Sequence, residues 1–239
     1  MMEGMPSRLA VIASEPAEAV LARLRAQVAD LESRGATSVH PVPPVLAPLL
    51  PGGGLKPGSA YCLASATLLA ALLAAPSREE LWCGLVGLPG FGVEAAVEAG
   101  VRADRLVLVP EPGPRWLSVV AALSTALPVV AVRPSEPVRP ADADRLAARL
   151  RDREATLLVL GDWPGAEARI TVDEPAWTGL GTGWGRLVRR EVSLRVTARR
   201  FPRERSVRVF LPGPDGTLSA VPTVATGERA DTGLMRVAA

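Results

Sequence analysis

Between Ser59 and Gly161, five short apolar runs alternate with four stretches of helical character, and this alternation restricts the fold more than any other feature. The runs are AYCLA, LWCGLVG, RLVLVP, PVVAVR and ATLLVLG. Between them lie TLLAALLAA, VEAAVEAG closed by Gly100, PRWLSVVAALSTAL with Pro114 at its start, and ADADRLAARLRDR. Strands of five or six apolar residues must be buried on both faces, which predicts a parallel sheet covered by helices. The crossovers should be right-handed. TLLAALLAA is apolar all round and reads as a buried helix that ends before Pro76. The Ser77–Glu80 stretch has the spelling of a capping box but leads into a strand, so it reads as a helix-to-strand connection.

After Gly161 the pattern changes. ARITVDE, REVSLRVTARR and SVRVFLP alternate apolar with polar residues, and PGPDGT makes a turn before LSAV, which predicts antiparallel strands with one exposed face. The glycines of TGLGTGWGRL precede a strand rather than open a helix, so they read as a flexible turn, not a dinucleotide fingerprint. Ahead of the sheet, Val20, Leu21, Leu24, Val28 and Leu31 recur at helical spacing, predicting an amphipathic helix over Glu15–Arg34. The connector HPVPPVLAPLLPGGG carries too many breakers for regular structure. The last residues, ATGERADTGLMRVAA, lack a period and read as a loose tail.

Pro57–Ser77 carries no charge for 21 residues, long enough to raise a membrane span. Its proline and glycine breakers and its alanine content favour a strand followed by a buried helix. The N-terminal residues lack the pattern of a secretory signal, so a cytoplasmic protein is expected. Cys62 and Cys83 lie in apolar strands and read as buried thiols. With His40, the single histidine, they make no metal set.

Charge is uneven. Between residues 186 and 208, nine arginines stand against Glu191 and Glu204, a net +7, so the rest of a chain that is +2 overall carries −5. Arg186, Arg189, Arg190, Arg195, Arg199, Arg200, Arg203 and Arg205 are therefore the candidates for contact with an acidic partner or nucleic-acid phosphates. Pairing with acids elsewhere in the fold is the competing reading. Within REVSLRVTARR, Val192, Leu194 and Val196 alternate with Ser193, Arg195 and Thr197, which turns Arg195 away from the core. Trp163, Trp177 and Trp184 read as buried or half-buried anchors. They are too few for a base-stacking platform.

The lead-in LLPGGGLKPGSAYCLA, followed by this strand order, resembles the RecA-type ATPase core. The stretch from about residue 40 to 211 is more closely similar to the actinobacterial branch of the ImuA family, RecA-related accessory proteins of damage-induced mutagenesis. LLVLGDWPGAEARITV and WTGLGTGWGRLVRREVSLRVTARR leading into VRVFLP carry that resemblance. It implies a RecA-like P-loop NTPase-type core, mainly parallel and flanked by helices, with antiparallel strands at its C-terminal end. The domains expected are 1–40, an N-terminal amphipathic helix and linker; 41–221, a degenerate core; and 222–239, a flexible tail.

A working phosphate loop needs G-x-x-x-x-G-K-[ST]. Here the turn between the first strand and its helix is Ala64, Ser65, Ala66 and Thr67, with neither glycine nor lysine, and no basic residue occurs between Lys56 and Arg78. Thr67 alone could stand in for the Mg²⁺ ligand of such a loop, but capping the helix is the role expected of it. The next strand ends in Leu85-Val86-Gly87-Leu88-Pro89, where a RecA-like enzyme would need glutamate. PVVAVR ends in Arg133, where that enzyme would need an acid near Mg²⁺. Gly161–Ala168 is too short for a long DNA-contacting loop. The expectation is a protein that is not an ATPase and uses no cofactor, although a helix N-terminus could still hold an anion weakly.

Two functions follow. The resemblance implies a non-catalytic adaptor in a translesion-synthesis assembly of the SOS response, working with an ImuB-like polymerase relative and an error-prone DNA polymerase. The arginine strands suggest instead a RecA-like regulator that binds DNA or a recombinase filament through residues 186–208. Without nucleotide at a subunit joint, a monomer or heteromeric subunit is expected.

Overall fold

The computed structural model describes residues 39–180, 185–222 and 235–236, all within one compact unit, Ser38–Ala239. The candidate helix over 15–34 and Trp184 lie outside the described residues. The described elements are strands β1 (Ala60–Leu63), β2 (Cys83–Val86), β3 (Leu106–Val109), β4 (Val129–Val132) and β5 (Thr156–Leu160), then β6 (Ala168–Leu180), β7 (Gly185–Ala198), β8 (Arg205–Phe210), β9 (Ser219–Ala220) and β10 (Met235–Arg236). The helices are α1 (Ala66–Arg78), α2 (Val93–Glu98), α3 (Trp116–Ala126) and α4 (Pro140–Asp152).

The strands form one sheet in the order β3-β2-β4-β5-β1-β6-β7-β8-β9, with β10 against β6. All contacts from β3 through β1 to β6 are parallel, and all those from β6 outward are antiparallel. The sheet is therefore mixed, parallel as far as β6 and antiparallel beyond it, as the change of pattern after Gly161 predicts, and β6 and β7 are far longer than their apolar alternation suggests. β6 continues through Pro175, which falls where the register shifts between Asp173 and Ala176. A bulge frees proline from the ladder, so the strand can pass it. The hairpin thus absorbs both ends of TGLGTGWGRL into strands.

Two apolar clusters sandwich the sheet. One joins α1, α2, the connector and the inner face of β6–β8, where Ile170, Val192, Leu194, Val196 and Val209 are all buried. The other joins α3 and α4 to β1, β2, β4 and β5, through Trp116, Val120, Leu146 and Leu157 among others. Beyond β1 no described helix covers that second face. β6–β8 there present a polar surface, on which Thr171, Arg195 and Ser206 stand side by side.

Three local expectations are corrected. The connector forms two short 3-10 turns, Ala47–Leu49 and Pro51–Gly53, and buries Val42, Leu46, Leu49, Leu50 and Leu55 in the core. Its prolines set the turns while its leucines do the packing. α1 does not end before Pro76 but runs through it to Arg78. Proline costs only one intrahelical bond there, and the burial of its neighbours holds the last turn. The tail contributes β10, which pairs Met235 with Trp177 and Arg236 with Ala176. No described helix is long and apolar enough to cross a membrane, and Pro57–Ser77 divides into β1 and α1.

Candidate functional site

The turn after β1 is where a phosphate would be held. Leu63 is buried, and the Ala64 amide donates to the Ile170 carbonyl at 3.2 Å, tying the turn to β6. Ser65 takes an extended backbone and its hydroxyl accepts from the Leu68 amide at 3.4 Å, so Ser65, not Thr67, is the cap of α1. The helix starts two residues earlier than threonine capping would need, and Ala66 and Thr67 face solvent. Ser65 thus occupies one of the free amides that an anion at this helix end would use. Replacing Ser65 with Ala is expected to lower stability by about 1 kcal/mol, read in chemical denaturation, by freeing the Leu68 amide.

Lys56 cannot supply the missing cation. Its amide donates to the Tyr61 hydroxyl at 2.8 Å and its carbonyl accepts from Thr156 at 3.2 Å, at the opposite end of β1 from the turn. A four-residue strand spans about 13 Å. Thr67 instead lines a groove of about 410 Å³ between the start of α1, α2 and the 212–216 turn, walled by Ala66, Ala70, Phe91, Ala95 and Ala99.

The two neighbouring strands lead into a glycine and an arginine. Gly87 has φ +72°, and a Cβ there would lie 2.7 Å from the Arg133 carbonyl oxygen. Arg133 is exposed, with its amide on the Val86 carbonyl at 3.1 Å. After β5, Trp163 is buried in the second cluster, and Asp162 pairs with Arg169 at 2.7 Å. Both cysteines are free and buried. Burial pushes the Cys83 thiol up to about 12 and raises that of Cys62, which removes both as nucleophiles. Burial also lowers the His40 imidazole, whose backbone pairs with Leu55 on both sides. No group of three or more candidate metal ligands occurs among the described residues.

The arginines fall on one hairpin region but in different settings. Arg195 pairs with Asp173 at 3.0 Å and with Glu204 at 3.7 Å. Arg200 pairs with Glu167 at 3.1 Å, and Arg208 with Glu191. Arg189 stacks on Phe210 at 4.6 Å. Arg190 lies over Trp177 at 5.7 Å, and its Nε donates to the Leu211 carbonyl at 2.8 Å. Arg205 donates to the Pro48 carbonyl and stacks on Phe201 at 3.6 Å. Arg199 and Arg203 are exposed in the β7–β8 connection, and Arg186 lies in β7. The alternation that turned Arg195 outward is borne out. Asp173, which pairs with Arg195, and Glu167, which pairs with Arg200, were invisible as partners in sequence because they come from β6 and the loop before it.

Fold and site together define an α/β protein built on a mixed sheet, with a self-capped turn between its first strand and helix. Residues 48–165 match the family described as the MT3502 N-terminal domain. The uncharacterized protein Rv3395c of Mycobacterium tuberculosis (strain ATCC 25618 / H37Rv) is 34% identical over 151 residues, covering 58% of this chain and 74% of that protein. The chain belongs to the family of this mycobacterial protein. Neither name carries an activity.

Proposed function

We propose that the protein is a non-catalytic adaptor of a DNA-damage-induced mutagenesis assembly, a member of the ImuA group with a degenerate RecA-like core. It works through protein contacts with an ImuB-like polymerase relative and an error-prone DNA polymerase, in the cytoplasm. The observation that carries the non-catalytic part is the β1–α1 turn, where Ser65 caps its own helix and the one lysine sits at the far end of the strand. The adaptor role and its partners rest on the sequence resemblance. The ion pairs of Arg195, Arg200 and Arg208 favour protein contact over DNA, since arginines already neutralised release few counterions. The DNA-binding reading retains Arg199 and Arg203, which are exposed in the turn beside them.

The test is capture of the tagged full chain from damaged and undamaged cells, with nuclease treatment and identification of bound proteins by mass spectrometry. A polymerase-like partner that survives nuclease is the expected result. Recovery of DNA-dependent neighbours alone, with retention that falls steeply with salt and is lost on Arg199→Ala and Arg203→Ala, would overturn the adaptor in favour of the regulator.

A further inference from the structure

At the end of β1 opposite the degenerate turn, backbone pairing lays the start of β1, the loop before β6 and the end of β7 side by side. The Gly58 amide donates to the Ala155 carbonyl at 2.9 Å, and the Glu167 amide to the Ala60 carbonyl at 2.8 Å. Ala168 is paired with Ala198. A cavity of about 310 Å³ opens there against α4, at the small end of the range for ligand sites. Lys56, Arg151 and Arg199 line it from three separate elements. Gly58 has φ +77°, and a Cβ on it would lie 2.8 Å from the Arg151 Cγ, so the glycine lets that arginine stem lie against the connector. Bonds to the Tyr61 and Thr156 hydroxyls engage both the amide and the carbonyl of Lys56, which fixes where its side chain starts.

We infer that this cavity binds a phosphate monoester, with the dianionic phosphate group held by Lys56, Arg151 and Arg199. None of the three makes an ion pair among the described residues, whereas Arg169, Arg195, Arg200 and Arg208 are each answered by an acid. Two carboxylates share the walls. Glu167 is paired with Arg200 at 3.1 Å, and Asp144 is exposed on α4. Counting Arg200, four cations face two acids, and the net +2 matches a dianion. The Leu150 and Arg151 carbonyls at the end of α4 would repel an anion. They already accept from the Ala155 and Glu154 amides at 3.0 and 3.3 Å. A carboxylate offers one charge and two oxygens, which a single arginine fork satisfies. Three cations converging from separate elements suit the two charges and three free oxygens of a phosphate monoester. Arg199 was a candidate in the sequence, and the fold adds Lys56 and Arg151 to it. This inference stands apart from the adaptor reading, and its failure would leave the capture experiment untouched.

Calorimetric titration of the full chain with inorganic phosphate and with adenosine 5′-monophosphate, in about 50 mM chloride so that screening stays weak, is expected to show binding of both. Lys56→Gln, Arg151→Gln and Arg199→Gln should each weaken it about tenfold. Arg203→Gln removes an exposed arginine of the β7–β8 connection outside the cavity and should change nothing. Asp144→Asn should tighten binding about threefold by removing a like charge, a gain that no misfolded variant reproduces. Short oligonucleotides with a 5′-phosphate or a 5′-hydroxyl separate the sources of the group. Preference for the phosphorylated end over adenosine 5′-monophosphate would make the ligand a nucleic-acid terminus, and the reverse preference a small metabolite. No heat of binding up to about 10 mM of either small probe overturns the proposal. So does an equal loss on Arg203→Gln and Arg151→Gln, which would show a diffuse positive surface. Oligonucleotide binding indifferent to the end group, with neither small probe bound, also refutes the cavity and assigns these arginines to the nucleic-acid backbone.

Discussion

Replacing Leu158 with Ala is expected to destabilise the protein by about 3–4 kcal/mol. Leu158 sits in β5, flanked by Ala131 of β4 and Tyr61 of β1, with no exposed surface. It belongs to the cluster that seats α1 through Leu68, Leu69 and Leu72. Three carbon groups leave the core, worth about 2.4 kcal/mol in transfer alone. The remainder comes from the cavity, because strands held on both sides cannot close over it. For a chain of this size that corresponds to a fall in thermal midpoint of about 10 °C. Leu187→Ala is the control: Leu187 is 48% exposed, and its loss should cost less than about 0.5 kcal/mol. Calorimetry of the two variants checks both figures. A Leu158→Ala cost no larger than the control would mean that α1 is not seated on β5 as described.

Leu158 was legible as core in the sequence, and so were the apolar runs that became β1, β2, β4 and β5. Burial on both faces leaves an uninterrupted apolar string, which its short length and flanking breakers identify as a strand where period cannot. The alternation of Val192, Leu194 and Val196 was equally readable because one face of β7 is covered and the other is not. What could not be read depends on which strands are neighbours. RLVLVP looks as buried as ATLLVLG, yet β3 ends the sheet while β5 lies inside it. Asp173 and Glu167 gave no sign of being partners for Arg195 and Arg200, since those pairs arise from the β6–β7 register. The connector was misjudged for a related reason. Prolines mark where regular structure stops, but burial of Leu46 and Leu55 is decided by the surface beneath them. At the β1–α1 turn the missing lysine was plain, whereas the capping hydroxyl was assigned two residues too late.

Gly87→Glu should yield a less stable protein that still does not hydrolyse ATP. A RecA-like enzyme would need a carboxylate at the end of this strand, so the substitution tests whether one side chain separates this fold from activity. The backbone argues that it does not. Gly87 has φ +72°, in the left-handed region, and its amide is committed to the Val109 carbonyl at 3.0 Å. A side chain there loses about 1–2 kcal/mol to conformation alone. Its Cβ would also press on the Arg133 carbonyl oxygen at 2.7 Å, a backbone atom fixed by the amide of Arg133 on Val86. The two effects together come to about 3 kcal/mol, comparable with a core truncation. A carboxylate tolerated at that position would still face a turn with no lysine, and helix dipole and capping amides alone do not replace that charge on a transferring phosphoryl group. Denaturation of Gly87→Glu alongside an ATP turnover assay reads both halves. Measurable hydrolysis would show that the phosphate site survives in a form the residues at 64–67 conceal, and the non-catalytic reading would then fail.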